Sequence, residues 1–149
     1  LGYPTAEEEM SIIEGQRTSH PIDDLQAVAG ADEVTRLQET ARQVYVDDLI
    51  KQYAVSLVEA TRHHPDISLG SSPRGSLALF RGAQATALLR DRDFVLPDDV
   101  KELAVPMLSH RIIVSAAARM RGVGAREVIG GIVEQVAVPG AQARDQYRR

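Results

Sequence analysis

Helix-start signals recur along this chain, and apolar residues at a spacing of three or four follow each of them. Thr5 and Glu8 have the spacing of a capping box, in which a hydroxyl and a carboxylate bind free amides of a first helical turn. Asp47 precedes another such run, and Ser72 places a cap residue before a proline at the first helical position, Pro73. A chain with several such signals is predicted to fold mainly as helices.

The apolar spacing also sets the expected bounds of these helices. We predict helices over residues 5–17, 32–43, 47–64, 72–90, from 97 onward, and over 125–135. The predicted fold is a mainly α, small helical bundle. Residues 110–114 have a β-like composition, which leaves open one short β-hairpin with Phe94 and Val95.

The fourth predicted helix mixes large apolar residues with alanines on its expected buried face. The residues expected there are Leu77, Phe80, Leu88, Ala83, Ala85 and Ala87. Small residues let another helix approach closely, so this helix is predicted to pack tightly in the bundle. Residues 1–139 are expected to form the domain, and residues 140–149 a flexible tail.

Composition narrows the class of protein. The 149 residues include no cysteine and carry a formal net charge of −4. The absence of cysteine favours the cytoplasm, and the acidic balance disfavours nucleic acid as the main partner. No apolar run has the roughly 18 residues needed to cross a bilayer, so membrane insertion is not expected. The chain starts at Leu1 with no methionine before Met10, which predicts a piece of a longer protein.

The sequence lacks the motifs of a self-contained nucleotide hydrolase or a metal enzyme. It has no G-x-x-x-x-G-K-[ST] run, whose backbone amides and lysine would hold the phosphates. His63 and His64 with Asp66 could in principle bind a metal, but adjacent histidines point in different directions on a helix. We interpret them as a solvated helix end, and His110 as a packing or hydrogen-bonding residue. No metal site is predicted.

The start of the fourth predicted helix carries an unusual charge. Arg74 lies in its first turn, where a cation opposes the helix dipole. A guanidinium beside free helix-start amides is suited to phosphate oxygens, so an anion site is one explanation. The other is that Arg74 bonds a nearby carboxylate. The residue chemistry alone leaves both explanations open.

An ordered set of segments resembles the C-terminal lid domain of MoxR AAA-plus ATPases. The set covers positions 2–139 and consists of residues 2–4, 53–62, 70–74, 81–89, 92–95, 97–100 and 110–112. Three positions depart from the family pattern. Leu96 stands where a small hydroxyl cap is common, and Ser71 and Gly75 stand where alanine is common.

The resemblance implies that an α/β ATPase domain outside this chain carries the phosphate loop, the magnesium-binding acids and the arginine finger. ATP and Mg²⁺ would belong to that full-length parent, and this chain alone would bind neither and would have no catalytic residue. By the same resemblance, Arg74 is the sensor-2 arginine that contacts the terminal phosphate, and Ser72 and Pro73 shape its turn.

The resemblance also implies partners and a function. The partners would be the chain's own ATPase domain, neighbouring subunits of a ring oligomer, and a von Willebrand A domain protein. The lid would couple ATP hydrolysis to chaperone-like assembly or maturation of partner proteins. Two alternatives stay open: a helical protein-interaction adaptor that uses a capped arginine structurally, and a helix-turn-helix DNA binder, which the acidic balance disfavours.

Overall fold

The computed structural model of the protein describes residues 2–139. Contacts along the chain divide it into two units, Leu1–Arg36 and Leu37–Arg149. The boundary between them falls inside a helix, Ala31–Gln43. The predicted flexible tail, residues 140–149, lies outside the described residues.

The described part of the first unit consists of short helical elements with local caps. It contains α1 (Ala6–Gly15), a 3₁₀ turn (Pro21–Asp24) and the beginning of α2 (Ala31–Gln43). The predicted capping box is confirmed: the Glu8 amide donates to the Thr5 hydroxyl, and the Thr5 amide donates to the Glu8 carboxylate at 2.7 Å. None of the described residues 2–36 is buried, so this unit has no core of its own.

The described part of the second unit, up to residue 139, contains five further helices and two short strands. They are α3 (Asp48–His63), β1 (Ile67–Leu69), α4 (Pro73–Leu89), α5 (Pro97–Leu108), a 3₁₀ turn (Ser109–Arg111), β2 (Ile113–Val114), α6 (Ala116–Met120) and α7 (Ala125–Gln135). The mainly α prediction is confirmed, and each predicted helix is present with its ends within two residues of the expected bounds. The short helix α6 was not predicted.

The core of the second unit lies where α3, α4, α5 and α7 meet. Large side chains that are almost fully buried include Tyr53, Leu57, Leu79, Leu108 and Ile129. The predicted close approach of α4 to its neighbour is confirmed at Gly82. A Cβ added there would lie 2.5 Å from Cε of Met107 on α5, so a larger residue would have to move the end of that side chain.

The two strands form a small antiparallel sheet. Ile67 pairs with Val114, and Leu69 pairs with Ile113. The strand expected near residues 110–114 is therefore present, but its predicted partner was wrong. Phe94 instead forms a parallel bridge with Tyr45. The sheet joins strands separated by α4 and α5, and such long-range pairing has no local sequence signal.

The buried face of α4 differs in part from the predicted one. Ala83 and Ala87 are fully buried as expected, but Leu77 is 47% exposed. Leu79, which was not predicted to be buried, is inaccessible to solvent. The helix packs against both α3 and α5, and the buried positions recur every four residues from Gly75. An apolar pattern with leucines on several faces does not distinguish this row from its neighbours.

Within residues 2–139, no helix combines the length and apolar character of a membrane span.

Candidate functional site

The last turn of α3 binds the main chain just before α4. The Thr61 hydroxyl accepts a hydrogen bond from the Ser71 amide at 2.9 Å and donates to the Val58 carbonyl at 2.6 Å. The next residue, Arg62, donates from Nε to the Ser71 carbonyl at 3.0 Å. Both main-chain groups of Ser71 are therefore held by side chains of α3. We call this pair of residues, Thr61 and Arg62, the Ser71 clamp.

Two glycines allow this close approach. A Cβ on Gly70 would lie 2.7 Å from both the Arg62 Cα and the Thr61 carbonyl oxygen, which are backbone atoms. A Cβ on Gly75 would lie 2.2 Å from the Ser71 hydroxyl oxygen. Real Cβ atoms do not approach so closely, so a larger residue at position 70 would displace the loop from α3, and one at position 75 would have to move the Ser71 side chain. The loop from Gly70 to Gly75 therefore packs closely against α3 and α4.

Helix α4 begins where the sequence predicts, with a different cap chemistry. Ser72 is the N-cap residue with an extended backbone, and Pro73 occupies the first helical position. The Ser72 side chain makes no capping hydrogen bond, so the expected role of its hydroxyl as a cap was wrong. The main chain of Ser72 is used instead, because its carbonyl accepts from the Gly75 amide at 2.8 Å. The first turn of α4 contains no acidic residue.

The side chain of Arg74 extends from this first turn. It is exposed, and among residues 2–139 it makes no hydrogen bond or ion pair. The carboxylate partner that the residue chemistry left open is therefore not found in the described chain. The sensor-2 role of Arg74 stays a prediction at this point.

A second charged cluster surrounds the start of α5. Asp99 is 1% exposed and accepts hydrogen bonds from Arg92 at 2.5 and 2.9 Å and from Arg90 at 3.0 Å. Its carboxylate also accepts from the Leu96 amide at 2.8 Å. This last bond satisfies the N-cap amide, while the Asp99 amide, which a hydroxyl cap would accept from, donates to the Leu96 carbonyl at 3.1 Å. Both carboxylate oxygens of Asp99 thus have hydrogen-bond donors within this segment, and these bonds stabilise the turn between α4 and α5.

The pKa of the Asp99 carboxyl reflects this arrangement. Burial raises its pKa, because a charged carboxylate is less stable away from water. The hydrogen bonds from Arg92 and Leu96 and the charges of Arg92 and Arg90 act in the opposite direction and are larger in sum. The pKa of Asp99 is therefore lowered from its ordinary value of 3.8, and the carboxylate is ionised at neutral pH.

The predicted helix end at the histidines is confirmed. His63 is the last residue of α3, and His64 caps it, with Nδ1 accepting from the Asp66 amide at 3.1 Å. His110 makes a hydrogen-bond contact with the Pro106 carbonyl at 3.1 Å. In the described part of the chain, no three His, Cys, Asp or Glu side chains gather as a metal site.

The sequence did not reveal the Ser71 clamp. Thr61 lies on the apolar face of α3 and is fully buried there. A threonine among leucine and valine side chains at the end of a helix is the one signal that could have indicated a buried hydrogen bond. Its partner lies ten residues along the chain, so only the fold identifies it.

Comparisons with known proteins agree with this fold. Residues 59–132 match the AAA lid domain family. The uncharacterized protein YeaC of Bacillus subtilis is 42% identical over 139 residues, which cover 93% of this chain and 43% of YeaC. The chaperone MoxR1 of Mycobacterium tuberculosis is 32% identical over 155 aligned positions, which cover 98% of this chain and 41% of that protein.

A solved structure gives the same result. The crystal structure of a proposed ATPase from Cytophaga hutchinsonii superposes with a TM-score of 0.80 at 28% identity, over 93% of this chain and 44% of that one. The chain thus spans less than half the length of each of these three relatives. The family match, the MoxR relative and the shared fold together show that this chain belongs to the AAA lid domains of the MoxR ATPase family.

Proposed function

We propose that this chain is the nucleotide-sensing lid of a MoxR-type AAA-plus ATPase and that Arg74 is its sensor-2 arginine. The observation that carries the proposal is the state of the Arg74 side chain. It extends from the first turn of a proline-started helix, is exposed, and has no partner among residues 2–139. Arg74 differs from other exposed arginines of α4 in lying at the helix start, where free amides would bind an anion beside it.

The surroundings of Arg74 fit a phosphate group. The amides of a helix start and a guanidinium both favour an anion, and the first turn of α4 holds no carboxylate that would repel one. In the full-length protein, ATP with Mg²⁺ would supply the terminal phosphate, bound by an α/β ATPase domain outside this chain. The lid contains no phosphate-binding loop and would not hydrolyse ATP alone.

The packing of α4 suggests how a contact at Arg74 could move the whole lid. Gly75, one residue further along, is buried, and a Cβ there would lie 3.1 Å from Cδ2 of Leu108 on α5. Leu79 and Ala83 continue the buried row. Because densely packed interiors transmit displacement, a pull on Arg74 would rotate the second unit as one body.

The wider role follows from the family relation. We propose that the lid works within a ring of like subunits and couples ATP hydrolysis to chaperone-like maturation of partner proteins in the cytoplasm, with a von Willebrand A domain protein among the partners. The printed name of MoxR1, a chaperone, supports this for a relative of this chain. The greater length of the relatives supports an ATPase domain in addition to the lid.

The proposal is tested by Arg74→Ala in the full-length ATPase. We expect steady-state ATP turnover to fall by at least about tenfold, which corresponds to about 1.4 kcal/mol of lost transition-state stabilisation. Arg74→Lys should recover part of the rate, because it keeps the charge but not the two-pronged geometry.

Arg81→Ala is the matched control. Arg81 is another exposed arginine on α4, two turns further along, and it makes no hydrogen bond or ion pair within residues 2–139. We expect this variant to turn over ATP at the normal rate. Normal turnover in Arg74→Ala would reject the sensor role and favour the protein-interaction adaptor.

A further inference from the structure

The residue just before the start of α4 is held by side chains from another helix. Ser71 is 1% exposed, and its amide and carbonyl bond respectively to Thr61 and Arg62 of the Ser71 clamp. An ordinary loop residue of this kind would bond to water or to its own neighbours. Here side chains in the last turn of α3 bind both the amide and the carbonyl of Ser71.

The geometry couples this contact to Arg74. Only Ser72 and Pro73 separate Ser71 from Arg74, and the proline ring restricts its own backbone rotation. Gly75 then packs against the Ser71 side chain from the other end of the same turn. The chain from Ser71 to Gly75 therefore has little freedom, and its direction is set where Ser71 meets α3.

We propose that Thr61 and Arg62 are positioning residues for the sensor: by holding Ser71, they fix the direction in which the Arg74 side chain leaves the lid. This inference rests on the proposed function of Arg74. Neither residue of the clamp needs to touch a nucleotide for the effect. A guanidinium recognises phosphate only in a narrow range of positions, so a small displacement of the helix start is costly.

Two variants remove the two bonds separately. Thr61→Val keeps the shape of the side chain but leaves the Ser71 amide without its acceptor, while Thr61→Ser keeps the hydroxyl. Arg62→Ala removes the donor to the Ser71 carbonyl at an exposed position. Arg111→Ala is the matched control, because Arg111 is also exposed and donates from Nε to a single carbonyl, that of Met107, at 2.9 Å.

The first readout is structural and needs no nucleotide. The chain has no cysteine, so nitroxide labels can be placed uniquely through Gln52→Cys on α3 and Arg74→Cys. We expect a narrow distance distribution between the labels. It should broaden in Thr61→Val and Arg62→Ala and stay narrow in Thr61→Ser and Arg111→Ala. An unchanged width in both clamp variants would overturn the inference.

The second readout is ATP turnover in the full-length ATPase, at a temperature where every variant is shown to be folded. We expect Thr61→Val and Arg62→Ala each to lower turnover by about threefold to tenfold, as a misplaced binding group does. Thr61→Ser and Arg111→Ala should turn over ATP normally. In the double variant Thr61→Val with Arg74→Ala, turnover should equal that of Arg74→Ala alone, since the clamp acts through that arginine.

The outcomes separate the two proposals. If Arg74→Ala lowers turnover but the clamp variants do not, or if the double variant loses the product of both effects, the positioning role is wrong and the sensor role stands. If Arg74→Ala turns over ATP normally, the sensor role is wrong and the positioning role fails with it.

Discussion

Helices α4 and α5 both begin with a proline, yet the two helix starts treat charge in opposite ways. At α5, the buried carboxylate of Asp99 joins the helix-start amide of Leu96 to Arg90 and Arg92. At α4, the one charged side chain of the first turn is a cation, Arg74, which no described residue neutralises. The first arrangement follows the helix dipole and the second opposes it.

The difference separates stability from function. The α5 start is complete within the chain, so its charges are expected to contribute to folding and to little else. At the α4 start, the Ser71 clamp and the close contacts at Gly70 and Gly75 hold the backbone. The charge of Arg74 is not paired with any described residue. A rigid site with an unsatisfied charge is what a ligand from outside the domain would require.

Asp99→Ala should give the largest effect on folding. We expect the free energy of unfolding to fall by about 3 kcal/mol, because two arginines and an amide lose their buried partner. Chemical denaturation measures this. The neighbouring Asp98→Ala is the control, since Asp98 is 84% exposed and pairs only weakly with Lys101 at 3.4 Å. Equal losses in the two variants would mean that the α5 start does not depend on its buried carboxylate.

Gly70→Ala tests the rigidity of the α4 start. The added Cβ would meet backbone atoms of α3 at 2.7 Å, so we expect a loss of about 2 kcal/mol in thermal or chemical unfolding. Gly82→Ala should cost much less, because the atom in its way is the flexible end of Met107. A Gly70→Ala variant as stable as the wild type would show that the loop can move away from α3.

Acid should reduce the contribution of the α5 start to the free energy of unfolding and leave that of the α4 start unchanged. The pKa of Asp99 is lower in the folded state than its ordinary value of 3.8, so its stabilising contribution is complete at neutral pH. That contribution is lost as the pH falls below the ordinary value and through the folded one. The stability difference between wild type and Asp99→Ala, measured by denaturation from pH 7 downward, should therefore shrink at acid pH. A constant difference would contradict the assignment.

The smallest effect on folding is expected for Arg74→Ala. Because the side chain has no partner among residues 2–139, the free energy of unfolding should change by less than about 0.5 kcal/mol. Denaturation of this variant beside Asp99→Ala compares the two helix starts directly. A loss as large as that of Asp99→Ala would give Arg74 a structural role and remove the main support for the sensor.

Local signals in the sequence were sufficient to predict every described helix of ten or more residues. The cap at Thr5, the cap at Asp47 and the proline at position 73 each act within one helical turn, and all three helix starts are confirmed. Helix α6 was missed because its five residues are too few for a periodic pattern. The partner of β2 was also missed, since strand pairing depends on chain segments far apart.

The sequence by itself determined the fold class, the family resemblance and the position of Arg74 at a helix start. These features depend on residues that are close along the chain, where periodicity and caps act. Only the tertiary structure decided that Arg74 has no partner among residues 2–139, that Asp99 pairs with Arg90 and Arg92, and that Thr61 and Arg62 hold Ser71. Hydrogen bonds and ion pairs between helices depend on distances in space, and the sequence does not specify these until packing has brought the helices together.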